Sequence, residues 1–261
     1  VTASMGKIHD QHWMMLNLPE DNSVAMTDET YSTGCFVIAG PNSRKLLQKL
    51  TTADVSNEAF KYGTSQELYL GRTKCQVNRM TYVGELGYEI FHPIASQIPL
   101  YQLIEAEGKA LEMKMFGMYA MESMRLEKGY LAWKSEMNVH HTPLETNVDW
   151  TVKMKKDFIG KDGLLKQQEQ GIEKKLICLV VEADDADALG YNGIYHNENL
   201  VGMTSSGGFG HRTEKSIAFG YVDTALAKTG NKFDVDILDV KRPAVAVEMS
   251  IYDPAMEKMK A

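Results

Sequence analysis

Residues 82–93 read YVGELGYEIFHP, a short apolar segment that carries two glutamates four positions apart. In the preceding stretch CQVNRMTYV (residues 75–83) apolar and polar side chains alternate, and the alternation resumes at Tyr88. Glycines supply turn positions between the two runs, so the pattern predicts a β-hairpin. In its second strand Tyr88 and Glu89 point to opposite faces, and the strand register decides which face lies in the core.

The two glutamates of this segment raise a question of charge. Glu85 lies among turn glycines, whereas Glu89 lies on the predicted strand. A carboxylate on a half-buried strand costs free energy unless a partner compensates it. The neighbours in sequence offer no such partner, so we expect one to come from elsewhere in the protein or from a ligand.

Strand and helix patterns alternate on both sides of this hairpin. CFVIAGPNSRKLLQKL (residues 35–50) predicts a strand over residues 35–39, followed by a helix with Pro41 near its first position. SQIPLYQLIEAEGKALE (residues 96–112) and MYAMESMRLEKGY (residues 118–130) each predict a helix, the second one ending near Gly129. This mixture is typical of an α+β fold.

The sequence pattern changes after a charged, Gln-rich stretch at residues 166–175. From Leu176 onward, short apolar runs such as LICLVV and FDVDIL are separated by Gly, Asn and Asp turns and show no helical periodicity. This predicts a small all-β barrel or sandwich. We therefore divide the chain into an α+β region, residues 1–170, and a carboxyl-terminal β-barrel domain, residues 171–261.

Composition narrows the classes of function. The formal net charge of −7 over 261 residues argues against a nucleic-acid binder, because phosphate contacts need a basic surface. The three cysteines show no CxxC or Cys/His spacing, so we expect neither a disulfide framework nor a zinc site. A reducing compartment fits best, either the cytoplasm or, in a eukaryote, the mitochondrial matrix. No run of 18 apolar residues is present, so we expect no membrane partner.

Two further patterns have ordinary structural interpretations that we favour. SSGGFGHR (residues 205–212) lacks the GxGxxG order and lies between strand-like segments, so it predicts a hairpin turn rather than a phosphate site. His9 and His12, and the pair His140 and His141, show no third ligand at a suitable spacing. We expect these to be surface or packing histidines, and we expect no metal site.

Six motifs occur in order along the chain: IAGPNSRKLLQKLT, YVGELGYEIFHP, MESMRLEKGYLAW, TPLETNVDWTVK, DFIGKDGLL and TSSGGFGHRTEKSIAFGYV. Together they resemble the folate-binding aminomethyltransferase family, the T-protein of the glycine cleavage system and its relatives. Within that family the chain is most similar to the carboxyl-terminal half of the dimethylglycine and sarcosine dehydrogenases. The resemblance covers nearly the whole chain and implies mixed α/β folate-binding domains followed by an antiparallel β-barrel.

The resemblance implies a partner for one of the two glutamates. In the family, the glutamate at the position of Glu89 holds the pterin ring of tetrahydrofolate, and the tyrosine at the position of Tyr82 lies against the same ligand. A carboxylate suits this role because the pterin N3–H and 2-amino group form a two-donor edge. The alternative is that Glu89 pairs with Arg79 or Arg125 across the sheet. Arg125 could itself simply pair with its i, i+3 neighbour Glu122 on a helix surface.

The resemblance also suggests supporting positions. Arg125 and Glu127, from the RLE motif, would support the folate cavity, and Tyr252 in SIYDP loosely matches the family's last folate-facing segment. Met121 departs from the pattern, because the T-protein has an arginine there that touches folate. We expect Glu85 to be exposed in the turn and to shape the loop rather than bind the ligand.

The resemblance leaves the catalytic residue unassigned. In the family an aspartate manages the protons while N5 of tetrahydrofolate attacks the one-carbon unit of a methylated glycine derivative, giving 5,10-methylenetetrahydrofolate. That aspartate lies in a segment preceding the region where this sequence begins, and Asp10, Asp21 and Asp28 do not lie in its motif. The first residue is not Met, so we expect a processed protein or a fragment.

Two functions follow from these expectations. One is tetrahydrofolate-dependent one-carbon transfer, with amine oxidation carried out by a flavin-containing domain or subunit, since no GxGxxG opens this chain. The other is a folate-binding module without catalysis of its own.

Overall fold

A computed structural model describes residue 2 and residues 4–261. The chain divides into two compact units. Unit 1 holds the described residues up to Thr81 together with Leu86–Met113, and unit 2 holds Tyr82–Glu85 and Lys114–Ala261. The domain boundary predicted at residues 170 and 171 stays a prediction.

Unit 1 combines a sheet with helices. Its elements are α1 (Lys7–Leu16), β1 (Thr33–Ala39), α2 (Ser43–Leu50), β2 (Ser65–Leu70), β3 (Thr73–Asn78), β4 (Gly87–Pro93) and α3 (Gln97–Lys109), with short 3-10 turns at Ser4–Gly6 and Ile94–Ser96. The four strands form an antiparallel sheet in the order β1-β4-β3-β2. The predicted strand–helix pair and the hairpin are therefore both present.

The core of unit 1 settles which face of β4 is buried. Tyr88 and Ile90 are fully buried and belong to a cluster that includes leucines and isoleucines of α2 and α3. Glu89 and Phe91 point to the opposite face and are half-buried. The alternation along the strand thus places the charged side chain away from the apolar core.

The hairpin differs from the prediction in the length of its first strand. Strand β3 ends at Asn78, which pairs with Glu89, so residues 79–86 form the connection rather than a continued strand. Burial still alternates in this connection, since Thr81 and Val83 are buried while Met80 is exposed. That alternation resembles a strand in the sequence, although β3 itself ends at Asn78.

Unit 2 contains a barrel preceded by two helices. Its elements are α4 (Met118–Lys128), α5 (Lys161–Gln170), β5 (Lys174–Val181), β6 (Gly193–His196), β7 (Asn199–Gly210), β8 (Lys215–Asp223), β9 (Lys232–Ile237), β10 (Val240–Val247) and α6 (Glu257–Lys260), with 3-10 turns at Asp149–Thr151 and Thr224–Leu226. The strands close an antiparallel barrel in the order β10-β5-β8-β7-β6-β9. The predicted carboxyl-terminal barrel is confirmed.

Two apolar clusters stabilise unit 2. One includes Ile194, Val222 and Val235 and contains side chains from most of the barrel strands. The other joins Leu126 of α4 to Phe219 of β8, so α4 packs against the barrel. Helix α4 ends as predicted at Gly129, whose left-handed backbone lets the last carbonyls accept capping hydrogen bonds.

The glycine-rich motif forms the predicted hairpin turn only through its last two residues. SSGGFG lies within strand β7, and the turn that follows occupies residues 211–214. The glycines serve close packing, because a side chain at Gly207 would clash with the carbonyl oxygen of Ala188. A strand that passes so near another backbone segment requires glycine there.

Candidate functional site

The Glu89 carboxylate lies on the face of the unit 1 sheet opposite the core. Its cross-strand neighbours are Val37 on β1 and Asn78 on β3. Burial raises the pKa of the Glu89 carboxyl, and a hydrogen bond with the Asn78 side chain offsets this only in part. Burial therefore disfavours ionisation of this carboxyl, in spite of its hydrogen bond to Asn78.

A thiol shares this face of the sheet. Cys35 lies on β1, two residues before Val37, and burial together with the Glu89 charge raises the pKa of its thiol to about 11. The thiol stays protonated at neutral pH, so it adds no charge beside Glu89. The surroundings of the carboxylate are thus partly apolar, formed also by Phe91 of β4 and Val37.

The two arginines considered as partners of Glu89 have other surroundings. Arg79 is fully buried, donates to the Phe60 carbonyl oxygen and lies near Tyr88, whose side chain points to the core face. Arg125 belongs to unit 2 and pairs with carboxylates of that unit, described below.

Tyr82 is fixed within unit 2 by two contacts. Its hydroxyl donates to the Leu131 carbonyl oxygen at 2.7 Å, and its ring stacks on Tyr130 with ring centres 6.0 Å apart. Burial raises the pKa of Tyr82 to about 12, so the phenol is neutral under physiological conditions. The residue offers a rigid aromatic surface rather than a charge.

Glu85 was expected to be exposed, and that expectation is wrong. Only 17% of its side chain is accessible, and its carboxylate accepts hydrogen bonds from Arg212 at 3.1 Å and from the Tyr252 hydroxyl. The sequence could not reveal this pairing, because Arg212 is 127 positions away along the chain. Glu85 does shape its loop, but it does so as a half-buried member of an ion-pair network.

Arg212 forms the centre of that network. Its guanidinium donates to the carboxylates of Glu85 and Glu127 and to the carbonyl oxygens of Val83 and Met124. The same guanidinium lies 3.8 Å from the centre of the Tyr252 ring. The sequence pattern placed Arg212 only in a turn, and the one available signal was a single arginine at the end of a glycine-rich motif.

Glu127, predicted as a supporting residue, is fully buried on α4. One of its carboxylate oxygens accepts hydrogen bonds from the backbone N–H groups of Arg212 and Thr213, and the other accepts from the Arg212 side chain. The carboxylate therefore fixes the β7–β8 turn against α4. It has no accessible surface and does not point toward solvent.

Arg125 forms the predicted ion pair with Glu122, but the arginine is buried rather than on the surface, and its predicted support of a folate cavity stays a prediction. It does pair with Glu122 at 2.8 Å, yet only 1% of its side chain is accessible. It also donates to the fully buried Glu136 at 3.0 Å and to the Tyr130 carbonyl oxygen at 3.1 Å. Because the hydroxyls of two β7 serines donate to the same Glu136 carboxylate, Arg125 helps fix α4 to the barrel.

Tyr252 lies in the segment after β10. Its backbone N–H donates to the Glu127 carbonyl oxygen at 2.9 Å, its hydroxyl donates to Glu85, and its ring faces Arg212. The structure thus brings Tyr252 together with Glu85, Glu127 and Arg212. The predicted folate contacts of Glu89, Tyr82, Arg125 and Tyr252 stay predictions.

The acidic residues near the amino terminus have local partners. Hydrogen bonds with Thr30, and the charge of Lys7, lower the pKa of Asp28 to about 2. A hydrogen bond with Ser23 lowers the pKa of Asp21 as well. Such carboxylates are weak bases at neutral pH, so neither has the raised pKa expected of a general base.

Among residues 2 and 4–261, no group of three or more His, Cys, Asp or Glu side chains is close enough to hold a metal ion. His141 stacks on Tyr221 at 3.6 Å, a packing role. None of the helices in this part of the chain has the length and hydropathy needed to cross a bilayer.

Comparison with known proteins adds family information to this geometry. The family model for the GCVT N-terminal domain matches residues 1–156, and that for the glycine cleavage T-protein C-terminal barrel domain matches residues 174–253. A solved structure of glycine cleavage system aminomethyltransferase T from Bartonella henselae shares the fold, with a TM-score of 0.76 and 22% identity over 85% of this chain and 60% of that one.

Curated relatives are similar over most or all of the chain. Human mitochondrial dimethylglycine dehydrogenase is 36% identical over 265 residues, which cover 100% of this chain and 31% of the relative. Human mitochondrial sarcosine dehydrogenase is 30% identical over 99% of this chain and 29% of its own length. An aminomethyltransferase of Listeria monocytogenes is 32% identical over 94% of this chain and 66% of its own length. The chain therefore spans about a third of the dehydrogenases it matches, and it belongs to the glycine cleavage T-protein family.

Proposed function

We propose that this chain carries out tetrahydrofolate-dependent transfer of a one-carbon unit from a methylated glycine derivative, giving 5,10-methylenetetrahydrofolate. Membership of the T-protein family supports the reaction class, and the relatives named dimethylglycine and sarcosine dehydrogenase support the substrate class. The observation that carries the proposal is the Glu89 carboxylate, half-buried on an open sheet face with a raised pKa.

Glu89 has the chemistry needed to hold a pterin. Its two carboxylate oxygens can accept hydrogen bonds from the N3–H and the 2-amino group at once, as in a bidentate carboxylate–guanidinium pair. The free energy lost on burying the charge is recovered when these donors arrive. A site of this kind rejects ligands that lack the donors, because its acceptor oxygens would then be left unpaired.

The other residues assigned to the folate site would supply an aromatic surface and a rigid frame for the ligand. Tyr82 offers a neutral aromatic ring fixed by its hydrogen bond to the Leu131 carbonyl. Arg125 and Tyr252, which we also assign to the folate site, are each held by at least two further side chains of unit 2. Tetrahydrofolate, when bound, supplies the nucleophilic nitrogen that takes up the one-carbon unit.

The acid/base residue is left unassigned in this proposal. We also propose that a flavin-containing domain or subunit generates the oxidised amine, because the dehydrogenase relatives are named for that oxidation. A mitochondrial matrix location would follow for a eukaryotic source, since those relatives are named mitochondrial proteins.

A second candidate is a folate-binding module without catalysis of its own. It is favoured by the hydrogen-bonded Asp21 and Asp28, whose lowered pKa values make them poor proton acceptors. The assay that separates the two follows 5,10-methylenetetrahydrofolate formed from tetrahydrofolate and an aminomethyl donor or formaldehyde, with folate binding measured in parallel. Binding with turnover above the uncatalysed rate supports the transferase, binding without it supports the module, and absence of binding contradicts both.

A further inference from the structure

We propose that Arg212 is a positioning residue that fixes the Tyr82–Glu85 loop in the form required for ligand binding. The inference rests on the proposed function, because Tyr82 is the folate-facing residue in that loop. Arg212 itself is not proposed to touch the ligand. Its role follows from the atoms that it joins within unit 2.

Arg212 holds the loop at two points. One terminal nitrogen donates to the Val83 carbonyl oxygen at 3.0 Å and to the Glu85 carboxylate at 3.1 Å. The Nε donates to the buried Glu127 carboxylate, and the other terminal nitrogen donates to the Met124 carbonyl oxygen at 2.8 Å. A single planar group thus joins two residues of the loop to two residues of α4.

The charge balance of the network explains why a cation is needed there. Glu127 is fully buried and Glu85 is mostly buried, so two carboxylates share one guanidinium. Without Arg212 the fully buried Glu127 would lose its cation, and Glu85 would lose a direct ion pair and keep the weaker attraction of the Lys258 charge, which disfavours the compact loop. Tyr252 lies on the guanidinium face at 3.8 Å and donates to Glu85, which limits movement of both partners.

The loop has a second constraint beside this one. Gly84 has φ of +74°, and a side chain there would lie 2.9 Å from the methylene carbons of Lys128. The Lys128 ammonium group in turn donates to the backbone carbonyl of Asp253. The loop therefore passes close over α4, and Arg212 fixes the residues on either side of the glycine.

The fork geometry of arginine is required for this arrangement. The guanidinium donates to four acceptor groups through three nitrogens, and a lysine ammonium group, which has a single nitrogen, cannot reach all four at the same time. Arg212→Lys should therefore keep the charge but release part of the loop. Arg212→Met removes all the donors while keeping similar bulk.

The test uses Arg212→Met and Arg212→Lys, with Arg242→Met as a matched control. Arg242, on β10, is likewise paired with a carboxylate, that of Asp185 at 2.5 Å, and this partner lies outside both the loop and α4. Two readouts are taken under conditions in which each variant is folded: hydrogen exchange of the peptide covering residues 82–85, and the tetrahydrofolate dissociation constant.

We expect exchange in residues 82–85 to speed up by about tenfold or more in Arg212→Met, by less in Arg212→Lys, and to be unchanged in Arg242→Met. Exchange of buried barrel amides such as that of Val222 serves as the control for global opening. If Arg212→Met is too unstable to measure, Arg212→Lys decides the question with the same readouts. Unchanged loop exchange in a folded Arg212 variant would overturn the inference.

A double-mutant cycle separates positioning from a general structural role. Arg212→Met should weaken tetrahydrofolate binding about tenfold in the native background and by a clearly smaller factor when Tyr82 is already alanine, because only the part that passes through Tyr252, which Arg212 also contacts, would be left. If Arg212→Met weakened tetrahydrofolate binding equally in the two backgrounds, action through Tyr82 would be contradicted. If the unmodified chain fails to bind tetrahydrofolate, the proposed function fails, while the exchange data still decide whether Arg212 orders the loop.

Discussion

Replacing Glu89 by Gln should change ligand binding and stability in opposite directions. Binding weakens because the amide places a donor where the pterin also presents a donor, at a cost of about 1–3 kcal/mol, or about 5- to 150-fold in the dissociation constant. Stability of the ligand-free chain stays the same or rises, because the substitution removes a half-buried charge whose ionisation burial disfavours.

Glu85→Gln is the comparison variant, since the two glutamates lie four positions apart in the same segment. Its amide oxygen can still accept from Arg212 and Tyr252, but the charge-assisted bond to Arg212 is lost. We expect a loss of about 1–2 kcal/mol in unfolding free energy and only a few-fold loss of binding. Glu89→Gln should therefore lose binding without losing stability, whereas Glu85→Gln should lose stability with only a small loss of binding.

The assay pairs urea unfolding of the ligand-free chain with calorimetric titration of tetrahydrofolate into each variant. Equal losses of binding at the two positions would refute the assignment of Glu89 as the pterin acceptor. A marked loss of stability in Glu89→Gln would instead mean that Glu89 already has a strong protein partner.

Further expected outcomes concern pH and stability. Burial raises the pKa of Glu89 and so favours its protonated form in the folded chain. This contribution to stability is present at low pH and is lost as pH rises through the raised pKa. Because the ionised carboxylate is the form that accepts the pterin donors, tetrahydrofolate affinity should fall as pH decreases, and this fall should begin at a higher pH than for an ordinary glutamate. The affinity of Glu89→Gln should not show this fall. Arg125→Met leaves the buried Glu136 carboxylate without its cation and should lower the free energy of unfolding in urea by about 3–5 kcal/mol. A loss under about 1 kcal/mol would contradict this. Gly129→Ala should cost more than about 1 kcal/mol by the same measurement, because φ is +77° and the new methyl would meet the Met249 carbonyl, whereas Gly163→Ala, in open space on α5, should not destabilise.

The elements that could be predicted from sequence are those in which periodicity and burial agree. The alternation in β4 and the regular strand spacing after Leu176 predicted the hairpin and the barrel, because one buried face imposes a two-residue period. The end of α4 was predictable from Gly129, since glycine suits a left-handed cap. The first hairpin strand was predicted to continue to Val83, but β3 ends at Asn78. The residues that follow alternate in burial as strand residues do, although they belong to the connection.

The ion-pair network could not be predicted in this way. Glu85 and Arg212 are far apart in sequence, and neither local propensity nor spacing specifies which arginine of the chain meets a given carboxylate. The glycine-rich motif was assigned to a turn because glycines are common in turns, whereas Gly207 lies in a strand passing close to Ala188. Glu89 was identifiable through a family resemblance, and its raised pKa became visible only with the sheet register.

Recognition of the two-donor edge of a reduced pterin by Glu89 is tested by a calorimetric comparison of two ligands. Tetrahydrofolate and its analogue without the 2-amino group are titrated into the unmodified chain and into Glu89→Gln. We expect saturable binding of tetrahydrofolate to the unmodified chain, at least about tenfold weaker binding of the analogue, and little difference between the two ligands with the variant. Equal affinity of the unmodified chain for both ligands, or no heat and no thermal shift with either, would contradict it.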